Sequence, residues 1–475
     1  MVVPVGSAGG GRGEQLALLV VAANARSLTV PDWLHQPTYS WRMGRRMTPR
    51  IRGSNELRFV DLFAGAGGIS EGFRQAGMLP VLGSDVDPDA CATYAANFPE
   101  ATAICGDIRD RDVKAKILEL GRGVDIVAGG PPCQAFSQVR NHARIIEDPR
   151  NSLYRQFVGV VDALEPKAFV MENVPGMAQL GVLDQVVEDL TCGGRYTVRP
   201  ALIDAADFGV PQTRKRIVFL GVHRDLRLEP PSLEGTGATV SLSLARLPDG
   251  RRYRVAAKDA GDELRERLMD LWDDGLVSVE QAIGDLAFLT SGLRADVADL
   301  ASLGQPDSAY QKAMRDGLSG TVTAVSVPRI NQDTVLRLRA IPPGGNHLDL
   351  PEDLTGRYLT GAKWGQDNGT GRLSRKHFYA YRRLHPAMWS WTLNTKADSV
   401  YHWAAERALS VREFARIQSF PDRFTVVTDP RAGTLPGRIE GGAGHSRYRQ
   451  IGNAVPPLLA RAIAGAVRQV LSAAE

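Results

Sequence analysis

Cys133 stands in the run Pro131-Pro132-Cys133-Gln134, directly after the apolar stretch 124–130. A thiol is a strong nucleophile only as thiolate, and two prolines ahead of it lock φ and remove backbone donors, so the sulfur is aimed instead of packed. The surrounding glycine pair, proline pair and polar loop do nothing for a core residue. The other three cysteines, Cys91, Cys105 and Cys192, lack such a setting and read as small buried hydrophobes. A second reactive group follows at Glu172, in Glu172-Asn173-Val174 after the apolar 169–171. A carboxyl at a strand exit is costly to desolvate unless paired or protonated, and the protonated state donates to a ring nitrogen. Gln212-Thr213-Arg214-Lys215-Arg216 adds two arginines that alternate onto one face of an extended chain, suited to binding an anion or orienting an acid.

The elements that must hold these groups alternate. Segment 58–63 reads as a strand, 64–68 as a glycine turn and 69–76 as a helix. Strands at 79–84, 101–105, 124–128 and 168–172 follow, with helices at 89–98 and 153–164, and further strands at 196–203 and 217–222. This alternation predicts an α/β fold with a doubly wound parallel sheet, whose ligands meet the carboxyl ends of the strands. Asp61-Leu62-Phe63-Ala64-Gly65-Ala66-Gly67-Gly68 lies at such an end, and glycines there let a ligand approach the backbone. A dinucleotide fingerprint wants a third glycine where this chain has Ser70, which disfavours NAD. Asp85 closes the second strand, where a carboxylate accepts both hydroxyls of an adenosine ribose, and Asp107 closes the third, where it could take an exocyclic amino group. Taken singly, each acid reads as a helix cap or a solvated loop residue, but acids at three strand ends in succession point to a ligand.

With 43% hydrophobic and 23% charged residues among 475, the chain reads as a soluble globular protein of two or three domains. Four cysteines without metal-type spacing predict neither a disulfide framework nor a zinc site, so a reducing cytoplasm is the simplest compartment. A net charge of +4 permits a polyanionic partner without demanding one. The apolar run 16–23 has the outline of a signal peptide, but it is short and Glu14 precedes it. Residues 1–57 therefore read as a disordered lead, with Met43 or Met47 as alternative starts. No other stretch approaches a membrane span.

In this order the blocks resemble the cytosine-5 DNA methyltransferase family of bacterial restriction-modification type. The resemblance covers about 58–222 and 408–473. It rests on Phe63 to Gly68, Pro131-Pro132-Cys133-Gln134, Glu172-Asn173-Val174, Gln212-Thr213-Arg214-Lys215-Arg216, Arg412-Glu413-Phe414-Ala415-Arg416-Ile417-Gln418-Ser419-Phe420-Pro421 and Gly452-Asn453-Ala454-Val455-Pro456-Pro457. It implies a Rossmann-like S-adenosylmethionine-dependent methyltransferase sheet with a smaller, irregular target-recognition domain. It also implies a catalytic set of Cys133, Glu172, Arg214 and Arg216. Cys133 would add to cytosine C6, and Glu172, supported by Arg214, would hold N3 and the amino group. The base would be flipped out of the duplex, with the loop 135–152 closing over it and Ser137 near its phosphate. Phe63, Gly65, Gly67, Gly68, Asp85, Val86, Asp107, Ile108, Pro131, Asn453 and Ala454 match the family's cofactor pocket, with Asn453 on a helix beside the first glycine turn. Gln134, Ser137, Gln212, Thr392 and Leu393 match positions near the DNA. Many relatives carry an aromatic after the ribose-binding acid, where this chain has Val86, a departure that bears on cofactor affinity.

The implied domains are a lead at 1–57, a catalytic and cofactor-binding domain at 58–222, a target-recognition domain at 223–407 and a C-terminal return at 408–475. Within the middle region, regular alternation stops. A charged amphipathic helix is expected at 261–272, and the basic, aromatic cluster 372–383, with Lys376, His377, Tyr379 and Tyr381, reads either as a phosphate- and base-binding surface or as a solvated face. The last segment predicts helices at 411–419 and 457–473. The expected partner is double-stranded DNA, with a cognate endonuclease as functional but not physical partner, a monomeric state and no metal. An RNA cytosine-5 methyltransferase on the same scaffold and a catalytically silent DNA-binding protein are the alternatives. A methylase acting on an exocyclic amino group would need an aromatic residue where Cys133 stands.

Overall fold

The structure, a computed structural model, describes residues 56–132, 152–178, 183–237, 239, 276–354, 381–428 and 442–473, all within the unit Ser40–Glu475. Cys133, Gln134, Ser137, the loop 135–151, the helix expected at 261–272, positions 372–380 and the lead 1–55 lie outside the described residues.

A seven-stranded sheet carries the first half of the chain. Its strands are β1 (Arg58–Leu62), β2 (Leu79–Asp85), β3 (Thr102–Cys105), β4 (Ile126–Gly129), β5 (Ala168–Asn173), β6 (Tyr196–Asp204) and β7 (Lys215–His223), in the order β3-β2-β1-β4-β5-β7-β6. The helices α1 (Gly68–Gln75), α2 (Pro88–Asn97), α3 (Arg111–Leu120), α4 (Ser152–Leu164) and α5 (Leu183–Leu190) make the crossovers. β1 to β5 are parallel, as the alternation requires, whereas β7 lies antiparallel between β5 and β6. The expected doubly wound parallel sheet forms over β1 to β5, and β7 departs from it. Residues 205–214 between β6 and β7 hold only the short turn Ala205–Phe208 and no crossover helix, so the chain doubles back.

Alternation inside the apolar strands sorts side chains to two faces. Val60, Val127, Phe169, Met171 and Phe219 pack with Ile117, Phe157, Val161 and Leu190 of α3 to α5. Phe59, Ile126, Val170, Val218 and Leu220 pack on the other side with Ile69 and Phe73 of α1, and with Leu459, Ile463 and Val467. The last three belong to a C-terminal helix that covers this second face together with α1.

The second half is less regular. It contains α6 (Val279–Ile283), the antiparallel pair β8 (Val297–Asp299) and β9 (Thr321–Thr323), α7 (Ala309–Arg315), α8 (Gln332–Ala340), α9 (Val411–Ile417), α10 (Gly442–Asn453) and α11 (Pro457–Ser472). α9 begins with a capping box, in which Ser410 and Glu413 bond each other's backbone N–H. Arginines on and around it fasten the region together. Arg416 pairs with Asp422 at 2.6 Å and with Asp285 at 3.2 Å, Asp285 also takes Arg315 at 2.5 Å, and Arg407 pairs with Glu413 at 2.7 Å. These groups are almost wholly buried, so each charge depends on its partner for what water would otherwise supply. Among the described residues no helix is long and apolar enough to cross a membrane.

Candidate functional site at the sheet edge

The carboxyl ends of β1 to β5 converge on one edge. After β1 the chain turns through Phe63 (φ 57°), Gly65 (φ 54°) and Gly67 (φ 94°), a left-handed run that glycine tolerates and phenylalanine does not readily adopt. The turn is held from both sides. Ala64 N–H donates to Ser84 O at 2.9 Å, and Gly65 N–H donates to Asp85 Oδ2 at 2.8 Å, while Asp87 N–H takes Asp85 Oδ1 at 2.9 Å. Burial raises the Asp85 carboxyl above its ordinary range, and these backbone donors pull it back. Val86 beside it is 65% exposed, an aliphatic face turned outward.

Asp107 is also at this edge, but its carboxylate is engaged. Arg109 Nε donates to both oxygens at 3.0 Å, which lowers the Asp107 pKa. Ile108, expected in the pocket, is 5% exposed and packs in the core. Under the turn lies a group the sequence reading passed over. Asp61 is wholly buried, its Oδ2 accepts from Ser70 N–H and from Ser70 Oγ at 2.7 Å, and its Oδ1 has no partner. Burial pushes its carboxyl up to about 7.

The far helices arrive at the same place. Gly68 lies so close to the chain after α10 that a Cβ would come within 2.1 Å of Val455 O, which seats Asn453 and Ala454 beside the glycine turn as the resemblance implied. Asn453 is exposed and Ala454 buried. The helix carrying Asn453 was implied by the resemblance, but its span was not predicted from the residues. Its Ser446 Oγ donates to Asp89 at 2.5 Å and its Arg449 pairs with Asp87 at 2.7 Å, so it is tied to the start of α2. Its sequence, rich in Gly and Arg, has no apolar period to announce it.

On the other side of β4, the Glu172 carboxylate stands at the end of β5, 9% exposed. Arg216 Nε pairs with its Oε1 at 2.6 Å, and a Cβ on Gly130 would sit 3.2 Å from its Oε2. Asn173 Nδ2 donates to Pro131 O at 2.9 Å, fixing the backbone that leads to Cys133. Pro131 is buried and Pro132 exposed.

The expected support of Glu172 by Arg214 is corrected. Arg214 turns away into the interior, where it donates to Gly452 O at 3.0 Å, and at longer range to Leu393 O and Asn453 O. Desolvation holds its pKa well below the ordinary arginine value, with Arg216 adding repulsion and the Glu172 charge offsetting part of it, so Arg214 acts on Glu172 only as a nearby charge. Two residues apart on an extended chain, both arginines share a face; β7 pairing places Arg216 opposite Ile203 and sends Arg214 past the sheet's end. Gln212, expected near DNA, is also corrected. It is wholly buried, with Oε1 accepting from Leu393 N–H at 3.0 Å and Nε2 donating to Ile417 O at 3.2 Å and to Gln418. Leu393 is 1% exposed, whereas Thr392 is exposed and its hydroxyl donates to Thr213 O at 2.6 Å. Gln418 completes the junction by donating to Ala454 O at 2.6 Å. Blocks about 180 and 240 positions apart thus meet around Gln212 and Arg214. Arg383, at the end of the basic cluster, is likewise buried, bonding Leu338 O and Ile341 O at 2.7 Å instead of facing a phosphate. Tyr381 accepts from Arg337 at 3.0 Å and stacks on Tyr401. Cys105 is exposed, not a buried hydrophobe, while Cys91 and Cys192 are buried as expected.

A sheet in this order, with a glycine turn and two acids at the ends of its first three strands and an Arg-braced glutamate at the end of its fifth, defines an α/β methyltransferase fold. The chain aligns over 88% of its length with a solved structure described as a DNA modification methyltransferase encoded within a prophage (E. coli), covering all of that chain, with a TM-score of 0.59 and 21% identity, a likeness of fold. A family model, C-5 cytosine-specific DNA methylase, matches residues 57–469. Type II methyltransferase M.XorII of Xanthomonas oryzae pv. oryzae is 32% identical over 87% of this chain and 84% of its own. Type II methyltransferase M.AgeI of Thalassovita gelatinovora is 31% identical over 88% of this chain and 100% of its own. The chain therefore belongs to the C-5 cytosine-specific DNA methylase family, and its enzyme class is DNA (cytosine-5-)-methyltransferase.

Proposed function

We propose that this protein transfers the methyl group of S-adenosylmethionine to C5 of a cytosine flipped out of a specific duplex DNA sequence, through a covalent adduct on Cys133. We further propose that it acts as a cytoplasmic monomer, as the methylating member of a type II restriction-modification pair and without a stable complex with the endonuclease. The observation that carries the reading is the Glu172–Arg216 ion pair, held on the sheet edge that also bears the glycine turn and Asp85, with the Pro131-Pro132 backbone between them.

The residues fit that cofactor. A Cβ on Gly65 would meet nothing within 4 Å, so the space before the turn is open. Asp85, oriented by two backbone N–H groups, would accept the ribose hydroxyls, and the exposed face of Val86 would lie against the adenine. Asp107 would take the amino group only in competition with Arg109. When bound, S-adenosylmethionine supplies an electrophilic methyl group.

The chain's own residues supply the activation. Cytosine is a poor nucleophile at C5, so the Cys133 thiolate adds to C6 and raises electron density at C5, while Glu172, steered by Arg216, holds N3 and the amino group. After methylation, loss of the C5 proton expels the thiolate and restores the ring. Residues 223–407, with Thr392 exposed at their inner end, would read the DNA together with Gln134 and Ser137.

The test is to incubate the protein with S-adenosylmethionine and mixed-sequence duplex DNA and to map 5-methylcytosine at base resolution. Methylation at one short recurrent sequence is expected, lost in Cys133→Ala while duplex binding is retained. Transfer to tRNA but not to duplex would replace DNA by RNA as substrate, and full activity of Cys133→Ala would remove the covalent step.

A further inference from the structure

Two thiols the reaction does not use lie beside the proposed cofactor acids. Cys91 lies in the first turn of α2, and its Sγ donates to Asp85 O at 3.3 Å and lies 3.9 Å from Ile104 O. Asp85 O also accepts Gly106 N–H at 2.9 Å, and Asp85 is the register partner of Cys105 across β2 and β3. The Cys91 sulfur is thereby wedged against the end of β3, beside the register position of Cys105. One thiol is buried and the other exposed. Two residues past Cys105 stands Asp107.

We propose that Cys91 and Cys105 form a peroxide-sensitive dithiol, and that its closure to a disulfide weakens cofactor binding at the neighbouring strand ends. The second half rests on the cofactor reading above. An exposed thiol next to a buried one gives an entry sulfur and a resolving sulfur. Cys105 attacks hydrogen peroxide and becomes a sulfenic acid, releasing one water. Cys91 then attacks that sulfur, and the sulfenic hydroxyl leaves with the Cys91 proton as a second water. The two sulfurs lose two electrons, and one peroxide is reduced to two waters. Burial keeps the Cys91 thiol protonated, which reserves the first step for Cys105.

Closure has a structural consequence. The sulfurs must approach to about 2 Å, drawing the first turn of α2 onto the end of β3. Cys91 also loses the hydrogen it gives to Asp85 O, the carbonyl of the residue that would hold the ribose. Asp87, which follows Asp85 and caps α2, is on the same short path.

The experiment uses full-length Cys133→Ala, so that oxidation of the proposed nucleophile does not enter the reading. It is treated with hydrogen peroxide and compared with Cys133→Ala/Cys105→Ser. Expected are the loss of two hydrogens by intact mass, a 91–105 cross-linked peptide, and S-adenosylmethionine binding by titration calorimetry weakened on the order of tenfold. Dithiothreitol should restore binding, and the double variant should show neither change. Over-oxidation of Cys105 without the cross-link, or a cross-linked protein with unchanged affinity, overturns the proposal. Failure of the reduced protein to bind S-adenosylmethionine refutes the cofactor reading and the effect on binding with it, while the mass still decides whether the pair closes.

Discussion

Arg214 and Arg216 are two residues apart, yet their substitution should fail in different ways. Arg216 Nε meets Glu172 Oε1 at 2.6 Å, and the two side chains retain only 13% and 11% of their exposure. For charges about 4 Å apart at an effective dielectric near 20, the attraction is at most about 4 kcal/mol. Arg216→Met leaves Glu172 unbraced, and if about 3 kcal/mol of that orientation is lost at the transition state, kcat/KM falls by about two orders of magnitude. Stability should also fall, by up to about 3 kcal/mol, because the nearly buried Glu172 loses its partner, so the rate of the folded protein is what marks Arg216. Arg214→Met removes donors from Gly452 O and Leu393 O inside the junction and should cost about 2 to 4 kcal/mol of stability, the price of leaving buried carbonyls unmet. Single-turnover methyl transfer to a duplex carrying the mapped sequence, together with urea unfolding, separates the two. Wild-type kcat/KM in Arg216→Met, or a larger loss of the chemical rate in a fully folded Arg214→Met, would refute the assignment of Arg216 as the positioning residue.

Three further expectations follow from the same geometry. Asp61 holds its proton in the folded state up to about pH 7 and releases it near pH 3.8 when unfolded. Its stabilising contribution is therefore complete below pH 3.8 and is lost as pH rises through 7, roughly 4 kcal/mol in all. Asp61→Asn should leave stability at pH 4 unchanged and raise it at pH 8, and urea midpoints that shift equally at both values would contradict this. Gly68→Ala forces Val455 O, 2.1 Å from the new carbon, to move, and should cost about 1 to 3 kcal/mol while weakening S-adenosylmethionine binding, measured by calorimetry. Asp422→Ala strips the buried Arg416 of its 2.6 Å partner and should destabilise the protein by about 3 to 5 kcal/mol in urea unfolding, with Asp285 as its remaining partner.

Much of the core and the reacting groups could be read from residue order alone, because they follow local rules. Apolar runs of four to nine residues separated by helical spacing determined β1 to β7 and α1, α2 and α4 to within a few residues, since period and turn chemistry act over short spans. Strand-exit positions then singled out the glycine turn 61–68, Asp85, Asp107 and Glu172 as ligand-facing candidates, because in a parallel sheet every such exit opens on the same edge, whereas Phe63 came only from the family resemblance. The Ser410-x-x-Glu413 capping box was equally available in the sequence and would have set the start of α9.

Tertiary structure decided what depends on partners far along the chain. Whether Arg214 or Arg216 braces Glu172 turns on β7 register and on carbonyls that residues 393, 452 and 453 bring from elsewhere. Gln212 looked like a polar residue free for DNA until its amide was filled by Leu393 and Gln418. The antiparallel insertion of β7 and the helical state of 442–453 likewise rest on packing without a local period to signal it. Side-chain type and spacing specify which groups can react, because that chemistry is intrinsic to each residue. Which polar group faces the pocket and which is buried as a strut depends on where its hydrogen-bond partners fall, and only the folded chain sets that.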